Sequence, residues 1–404
     1  MLNFEIKAKY GKARTGIITI SHGPIETPAF ATVGTLASVK ALTPRELKEL
    51  GTQVIIANTY HLHLQPGEDI IAEAGGLHRF MGWDGPLMTD SGGFQIFSHG
   101  AGKEHGVGKI ASIFPDEPDR GGHLKKKPGK SLVTVDEDGV DFVSYLDGSR
   151  RRFTPESVIQ IQAKLGADII LPLDECTSPL HDKEYTFNAL ERTHRWAVRA
   201  VEAFSRYGKS HQSLFGIVQG GAFEDLRKKS ADFICQLDFS GFAIGGSLGK
   251  SKQEMHSVLE WTIPNLPQEK PRHLLGIGEV EDIFEAVIRG VDTFDCVVPT
   301  RTARTGTLLV SDYPRNRMHI LNSRFRNDYR PLEENCPCYT CSNFSRAYLR
   351  HLFAAKEPTA MVLATIHNLC FMERLMAQIR SAIANGAFQD LMERWTGKTS
   401  GLSS

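Results

Sequence analysis

The sequence predicts an α/β protein built on a (β/α)8 barrel, with a small antiparallel insertion and a separate C-terminal attachment. Three observations carry this. Eight short apolar runs recur over the first 300 residues, amphipathic stretches of helix length stand between several of them, and the rhythm stops after the eighth run, ahead of a cysteine cluster. Parallel strands covered on both faces read as continuous apolar or β-branched runs rather than as alternation. A length of 404 residues fits one such barrel with attachments.

The chain opens with alternating segments at 3–9 and 15–21, a hairpin turning on 10–14. The eight barrel runs are 28–33, 53–57, 86–89, 167–173, 213–218, 241–244, 273–277 and 291–297, and 155–165, 187–207 and 252–262 read as crossover helices. Between 98 and 130 the chain turns Gly-, Lys- and Pro-rich, which predicts a long loop. Residues 132–135, 140–146 and 150–153 then form an antiparallel excursion with turns at 137–139 and 147–148. Short strands are expected within 302–326, and helices at 345–353 and 358–385. The domains read as 1–300, a catalytic barrel with an insertion at about 98–153, and 301–404, a basic and partly helical subdomain.

Polar residues or glycines end nearly every run: Asn58, Asp90, Asp174, Gln219, Gly245 with Gly246, Gly276 with Gly278, and Asp295. In this fold the carboxyl ends of the strands share the face on which active sites are built. A single polar residue there often only caps a loop. Several carboxylates and an amide in that pattern point to a pocket.

The N-terminus is charged and lacks the apolar core of a signal peptide, and no apolar run approaches a membrane span, so a cytoplasmic protein without membrane association is expected. The 47 Lys and Arg balance 47 Asp and Glu. The neutrality is a cancellation: Arg301 to Ser404 holds 14 Lys and Arg against 8 Asp and Glu, leaving 33 against 39 in the remainder. Such a surplus serves nucleic-acid phosphates or is merely a solvated face.

Seven cysteines in a reducing compartment argue against a disulfide framework. Cys336, Cys338 and Cys341 lie in CPCYTC, where three thiolates on one short loop can face a common zinc ion. A fourth ligand is needed, and His351 and His367 are both candidates. A closed site of three sulfurs and one imidazole has no open position, so the Zn2+ would be structural. Cys176, Cys235, Cys296 and Cys370 read as isolated core or pocket residues.

Over essentially its whole length the sequence resembles the tRNA-guanine transglycosylase family, through DSGGFQ (90–95), LDECT (173–177), FGIVQGG (215–221), AIGG (243–246), LLGIG (274–278), FDCVVPTRTAR (294–304) and CPCYTC followed by TIHN (365–368). The resemblance implies exchange of the wobble guanine of GUN-anticodon tRNAs (Asp, Asn, His, Tyr) for a 7-deazaguanine, preQ1 or queuine, by a homodimer. It implies Asp295 as nucleophile on the ribose and Asp90 as general acid/base, consistent with the paired carboxylates that a retaining displacement at an anomeric carbon uses. The base would lie among Ser91, Gly92, Gly93, Phe94, Asp174, Cys176, Gln219, Gly245, Gly246, Ser247, Gly249 and Leu275. A carboxylate accepts from its N–H groups, an amide and a backbone N–H donate to its carbonyl, and Phe94 and Leu275 cover its faces.

The same resemblance implies anticodon contacts from Gly276, Ile277, Gly278, Glu279, Val280, Glu281 and Asp282, and from Thr300, Arg301, Thr302, Ala303 and Arg304. It makes Cys336, Cys338, Cys341 and His367 the zinc ligands, leaving His351 an ordinary helix histidine. The segment GGSLGKS (245–251) departs from the bacterial pattern: Gly249 stands where those enzymes carry valine, which leaves room for queuine's cyclopentene substituent, while Cys176 follows the bacterial pattern and Ser251 replaces an acidic residue. The rival readings are a zinc-dependent barrel hydrolase, which needs metal ligands at the strand ends, and a noncatalytic tRNA-binding subunit, which need keep neither Asp90 nor Asp295.

Overall fold

A computed structural model describes residues 2–97 and 133–397. Eight strands form a closed barrel in the order β10-β11-β12-β13-β14-β4-β5-β6. They are β4 (Ala29–Val33), β5 (Ile55–Asn58), β6 (Leu87–Asp90), β10 (Ile169–Ile170), β11 (Ser213–Val218), β12 (Gly241–Ile244), β13 (Arg272–Leu274) and β14 (Thr293–Cys296). Each overlaps one of the eight expected runs. Parallel pairing sets Met88 beside Ile169, Val218 beside Ile244, and Asp295 beside Ala31.

The strand expected over 167–173 is a ladder of only two residues. The reason is Gln162, buried on the helix Pro155–Leu165: its side chain accepts from Leu171 N–H (3.2 Å) and donates to Leu171 C=O (2.7 Å). With Leu171 satisfied by a side chain, the segment beyond leaves the sheet. The helices Pro155–Leu165 and Lys252–Thr262 have the expected bounds, opened by Thr154 and Ser251 as N-caps. The helix Lys183–Tyr207 starts four residues ahead of expectation, because the Asp182 carboxylate accepts from Tyr185 N–H (2.8 Å).

The opening hairpin, β1 (Asn3–Tyr10) and β2 (Ala13–Ile20), has a third partner, β3 (Gly23–Thr27). The excursion is a three-stranded antiparallel sheet of β7 (Val133–Val135), β8 (Val140–Val143) and β9 (Arg150–Phe153). The long loop expected at 98–130 lies outside the described residues. Past the barrel come the short pair β15 (Thr307–Leu309) and β16 (Arg317–His319), then the helices Tyr339–Asn343, Arg346–Ala355, Pro358–Ala384 and Phe388–Thr396, the first and last not anticipated.

The described residues group into two compact units. One falls within Met1–Phe4, Thr19–Gly23 and Ala57–Leu275, and the other within Glu5–Ile18, Pro24–Ile56 and Gly276–Ser404. In the second unit Asp292, just ahead of β14, is fully buried and held by Arg14 at 2.8 and 2.6 Å. This bidentate pair anchors the amino end of the strand that carries Asp295. No helix among the described residues is long and apolar enough to cross a membrane.

Candidate active site and metal centre

Asp90 ends β6, and three donors fix its carboxylate: Asn58 Nδ2 on one oxygen (2.6 Å), the backbone N–H groups of Thr59 (3.2 Å) and Gly92 (3.1 Å) on the other. Asn58 also caps the next helical turn by accepting from His61 N–H (2.9 Å). The polar end of β5 thus orients the acidic end of β6. The turn after Asp90 passes close to its neighbours. A Cβ on Gly92, whose φ is +77°, would meet Tyr60 Cβ at 2.6 Å, and one on Gly93 would meet Asp174 O at 2.9 Å. Phe94 follows, half-exposed to solvent (49%).

Two adjacent acids in LDECT have separate fates. Glu175 is drawn into the helix Lys183–Tyr207, bound to Arg192, to Tyr185 OH (3.1 Å) and, through its N–H, to Thr193 Oγ1 (3.0 Å). Asp174 is buried, accepting from Gln219 Nε2 and from Ser91 Oγ (3.3 Å). Burial pushes its carboxyl up to about 6, against the pull of those two hydrogen bonds. Gln219 Oε1 is buried without a hydrogen-bond partner among the described residues. It sits over Gly246, where a Cβ would lie 1.8 Å from it. Leu275 borders Gly245, and a Cβ there would meet its Cδ1 at 3.2 Å. Burial raises the Cys176 thiol well above its ordinary range, so it is a neutral thiol.

In the second unit Asp295 accepts from Gly276 N–H at 3.0 Å. Gly278 lies tight against Cys296, where a Cβ would meet Cys296 Cβ at 2.4 Å. Ile277, Val280 and Asp282 are buried, while Glu279 pairs with Arg317 and Glu281 is half-buried. The helix Val298–Ala303 buries Thr300 and Ala303, ties Thr302 Oγ1 to Val298 O (2.8 Å), and leaves Arg301 exposed. Arg304 donates to Thr300 O (3.0 Å). Burial, then the neighbouring Arg301 charge, pushes its guanidinium down. Two cations this close favour an anion between them.

Cys336, Cys338, Cys341 and His367 form a buried cluster. His367 Nε2 bonds Leu309 O (2.8 Å), which turns Nδ1 to the sulfurs, at 3.8, 3.7 and 3.3 Å. Tetrahedral zinc with ordinary Zn–S and Zn–N bonds sets sulfur and nitrogen about 3.5 Å apart, so the donor set and its spacing fit one Zn2+. His351 is exposed on the helix Arg346–Ala355. Cys370 is not isolated: one turn after His367, its sulfur stands 3.9 Å from that of Cys336.

This geometry accompanies a sequence match. Residues 9–113 and 123–400 match the family model described as queuine tRNA-ribosyltransferase. The chain belongs to the queuine tRNA-ribosyltransferase family. A relative from Archaeoglobus fulgidus is 51% identical, covering 98% of this chain and 99% of its own. Queuine tRNA-ribosyltransferases of Roseiflexus sp. and Herpetosiphon aurantiacus are 47% and 48% identical over 98% of this chain and 99% and 93% of theirs.

Three features around these residues are not apparent in the sequence. Asn58 stands out as a polar strand end, but its bond to Asp90 needs the barrel order. Glu254 fills the space a side chain at Gly249 would take, its Cβ and Oε2 lying 2.4 and 2.6 Å from a Cβ built there. Gly249 and Glu254 together border a cleft of about 160 Å³ also lined by Ser178, His181 and Ser247. Ser251, which replaces an acidic residue of the bacterial pattern, caps the helix that carries Glu254. Arg227, fully buried, gives no periodic or motif signal at all.

Proposed function

We propose that this transglycosylase exchanges the wobble guanine of GUN-anticodon tRNAs for a 7-deazaguanine by double displacement. The observation that carries the reading is the buried Asp174–Gln219 pair beside Gly246, a carboxylate and an amide set to read one purine edge. The ring and amino N–H groups of guanine take Asp174. Gln219, freed from that carboxylate, turns Nε2 to the base carbonyl, alongside the Gly246 N–H. Phe94 and Leu275 cover the ring, and Ser91, Gly92, Gly93, Cys176, Gly245, Ser247 and Gly249 complete the walls.

Asp295 attacks the ribose anomeric carbon: its carboxylate oxygen bonds that carbon as the bond to guanine N9 breaks. Asp90 gives the departing N9 a proton. The incoming base then returns a proton to Asp90, and its N9 displaces Asp295. Each turnover thus recharges Asp90 for the next, and no triphosphate is required, since one glycosidic bond replaces another. Both acids stand at carboxyl ends of barrel strands. Zinc would fasten the C-terminal helices and take no part in these steps. The domain reading is a catalytic barrel over 1–300 with the zinc subdomain over 301–404, acting as a homodimer in the cytoplasm.

The segments 276–282 and 300–304 hold the anticodon, with exposed Arg301 on phosphate. For the incoming base, Glu254 favours a 7-substituent carrying an amine cation, a feature shared by preQ1 and queuine. The test is incorporation of labelled guanine into tRNA: Asp295→Ala is expected to abolish it with zinc content and melting unchanged, and full activity would sink the mechanism. The same assay with preQ1 and queuine in competition reads the incoming base.

A further inference from the structure

Arg227, on the helix Glu224–Ile234, is fully buried and forms no ion pair among the described residues. Every acceptor around it is a backbone carbonyl. Nε donates to Gly221 O (2.7 Å), Nη1 to Val218 O (2.9 Å) and Gly245 O (3.1 Å), and Nη2 to Gly245 O (3.1 Å) and Ser247 O (2.8 Å). One side chain thus joins the segment after β11, which carries Gln219, to the segment after β12, which carries Gly246. Burial of an uncompensated guanidinium is costly, and a merely apolar filler would avoid that cost. The charge must therefore act on those carbonyls.

The peptide between Gly245 and Gly246 shows how. A trans peptide is planar, so its C=O and N–H point in opposite directions. Two guanidinium N–H groups pin Gly245 O on one side, which turns Gly246 N–H away from Arg227, while Gln219 lies against the Gly246 Cα. A cation on the carbonyl also polarises the peptide and strengthens its N–H as a donor. The Gln219 backbone is fixed in the same way: Val218 O accepts from Arg227 and from Gly245 N–H (3.1 Å), while Gln219 N–H donates to Ser230 Oγ (3.1 Å).

We infer that Arg227 is a positioning residue for base selection, holding and polarising the Gly245–Gly246 peptide so that its N–H reads the carbonyl oxygen of guanine or its 7-deaza analogue. This rests on the base-exchange reading above. Arg227→Met and Arg227→Lys in the full-length, zinc-loaded protein test it. The readouts are the guanine KM and the inhibition constant of 2-aminopurine, which keeps the 2-amino group of guanine and lacks both the carbonyl oxygen and the N1–H, so that the change on substitution is compared within each ligand. Zinc content and thermal melting report the fold.

Arg227→Met is expected to raise the guanine KM about 10- to 100-fold while the 2-aminopurine constant moves less than about threefold. Arg227→Lys, with the charge and fewer donors, falls between. Equal weakening of both ligands, or no change in either, overturns the inference, since a structural role would not separate them. If Arg227→Met does not melt cooperatively, the ratio of the two constants in Arg227→Lys decides. Absence of guanine exchange in the unaltered protein would instead defeat the base-exchange reading, which is a distinguishable outcome.

Discussion

At the scale of the single residue, Asp174 holds the most informative balance. Ionised, it offers two acceptor oxygens to the ring and amino N–H groups of guanine; protonated, it becomes a donor facing donors. Its carboxyl is raised by burial to about 6, from an ordinary 3.8. Base capture is therefore expected to be level above pH 6 and to fall about tenfold per unit below it, as kcat/KM for guanine reports groups of the free enzyme. The tRNA KM should not share that inflection. Unfolding at this group does not explain such a fall. A carboxyl whose folded value is raised contributes stability that is fully present below the unfolded value and lost as pH rises through 6, so mild acid favours the fold here. A guanine profile flat to pH 5 would show that Asp174 does not read the base. None of this perturbation is visible in LDECT, because the sequence does not show that Glu175 turns away to Arg192 while Asp174 turns into the barrel.

At the scale of the element, the helix Pro358–Ala384 does two things with adjacent residues. His367 presents Nδ1 to the three sulfurs. Asn368 accepts from Leu309 N–H (2.8 Å) and donates to Thr307 O (3.2 Å) and to Pro299 O (2.9 Å), the last in the helix that bears Arg301. Metal ligation and the placement of the TRTAR segment are thereby joined through one helical turn. His367→Ala is expected to lose zinc, measured with a chromophoric chelator, and to lower the melting temperature. His351→Ala, on an exposed helix face, should keep both; the reverse pattern would overturn the ligand set. Spacing in CPCYTC made three ligands legible, since thiolates so close in a reduced protein have few other uses. The choice between two histidines was not legible from spacing, nor was Cys370 beside Cys336, because both depend on how helices cross.

At the scale of the whole molecule, the eight strands were legible because buried parallel strands carry an unbroken apolar signal. The third strand of the opening sheet and the last helix were not: Gly23–Thr27 is short and Pro-containing, and Phe388–Thr396 is a single amphipathic stretch without a preceding side-chain cap. Charge behaves similarly. The surplus after residue 301 is plain in the sequence, but folding divides it. Arg317, Arg330 and Arg346 are paired with Glu279 and Asp328, whereas Arg301, Arg315, Arg324 and Arg326 are exposed and form no ion pair among the described residues. Only charges of the second kind can release counterions on binding a polyanion. Between about 50 and 200 mM salt the tRNA KM is therefore expected to rise about tenfold or more, in line with three or four phosphate contacts. The guanine KM should stay level, because the base is neutral and its site buried. Replacing Arg301 with Ala should flatten the logarithmic salt slope by about one contact. A tRNA KM indifferent to salt would mean that this basic stretch is only a solvated face, and that the anticodon is held by shape and base contacts alone.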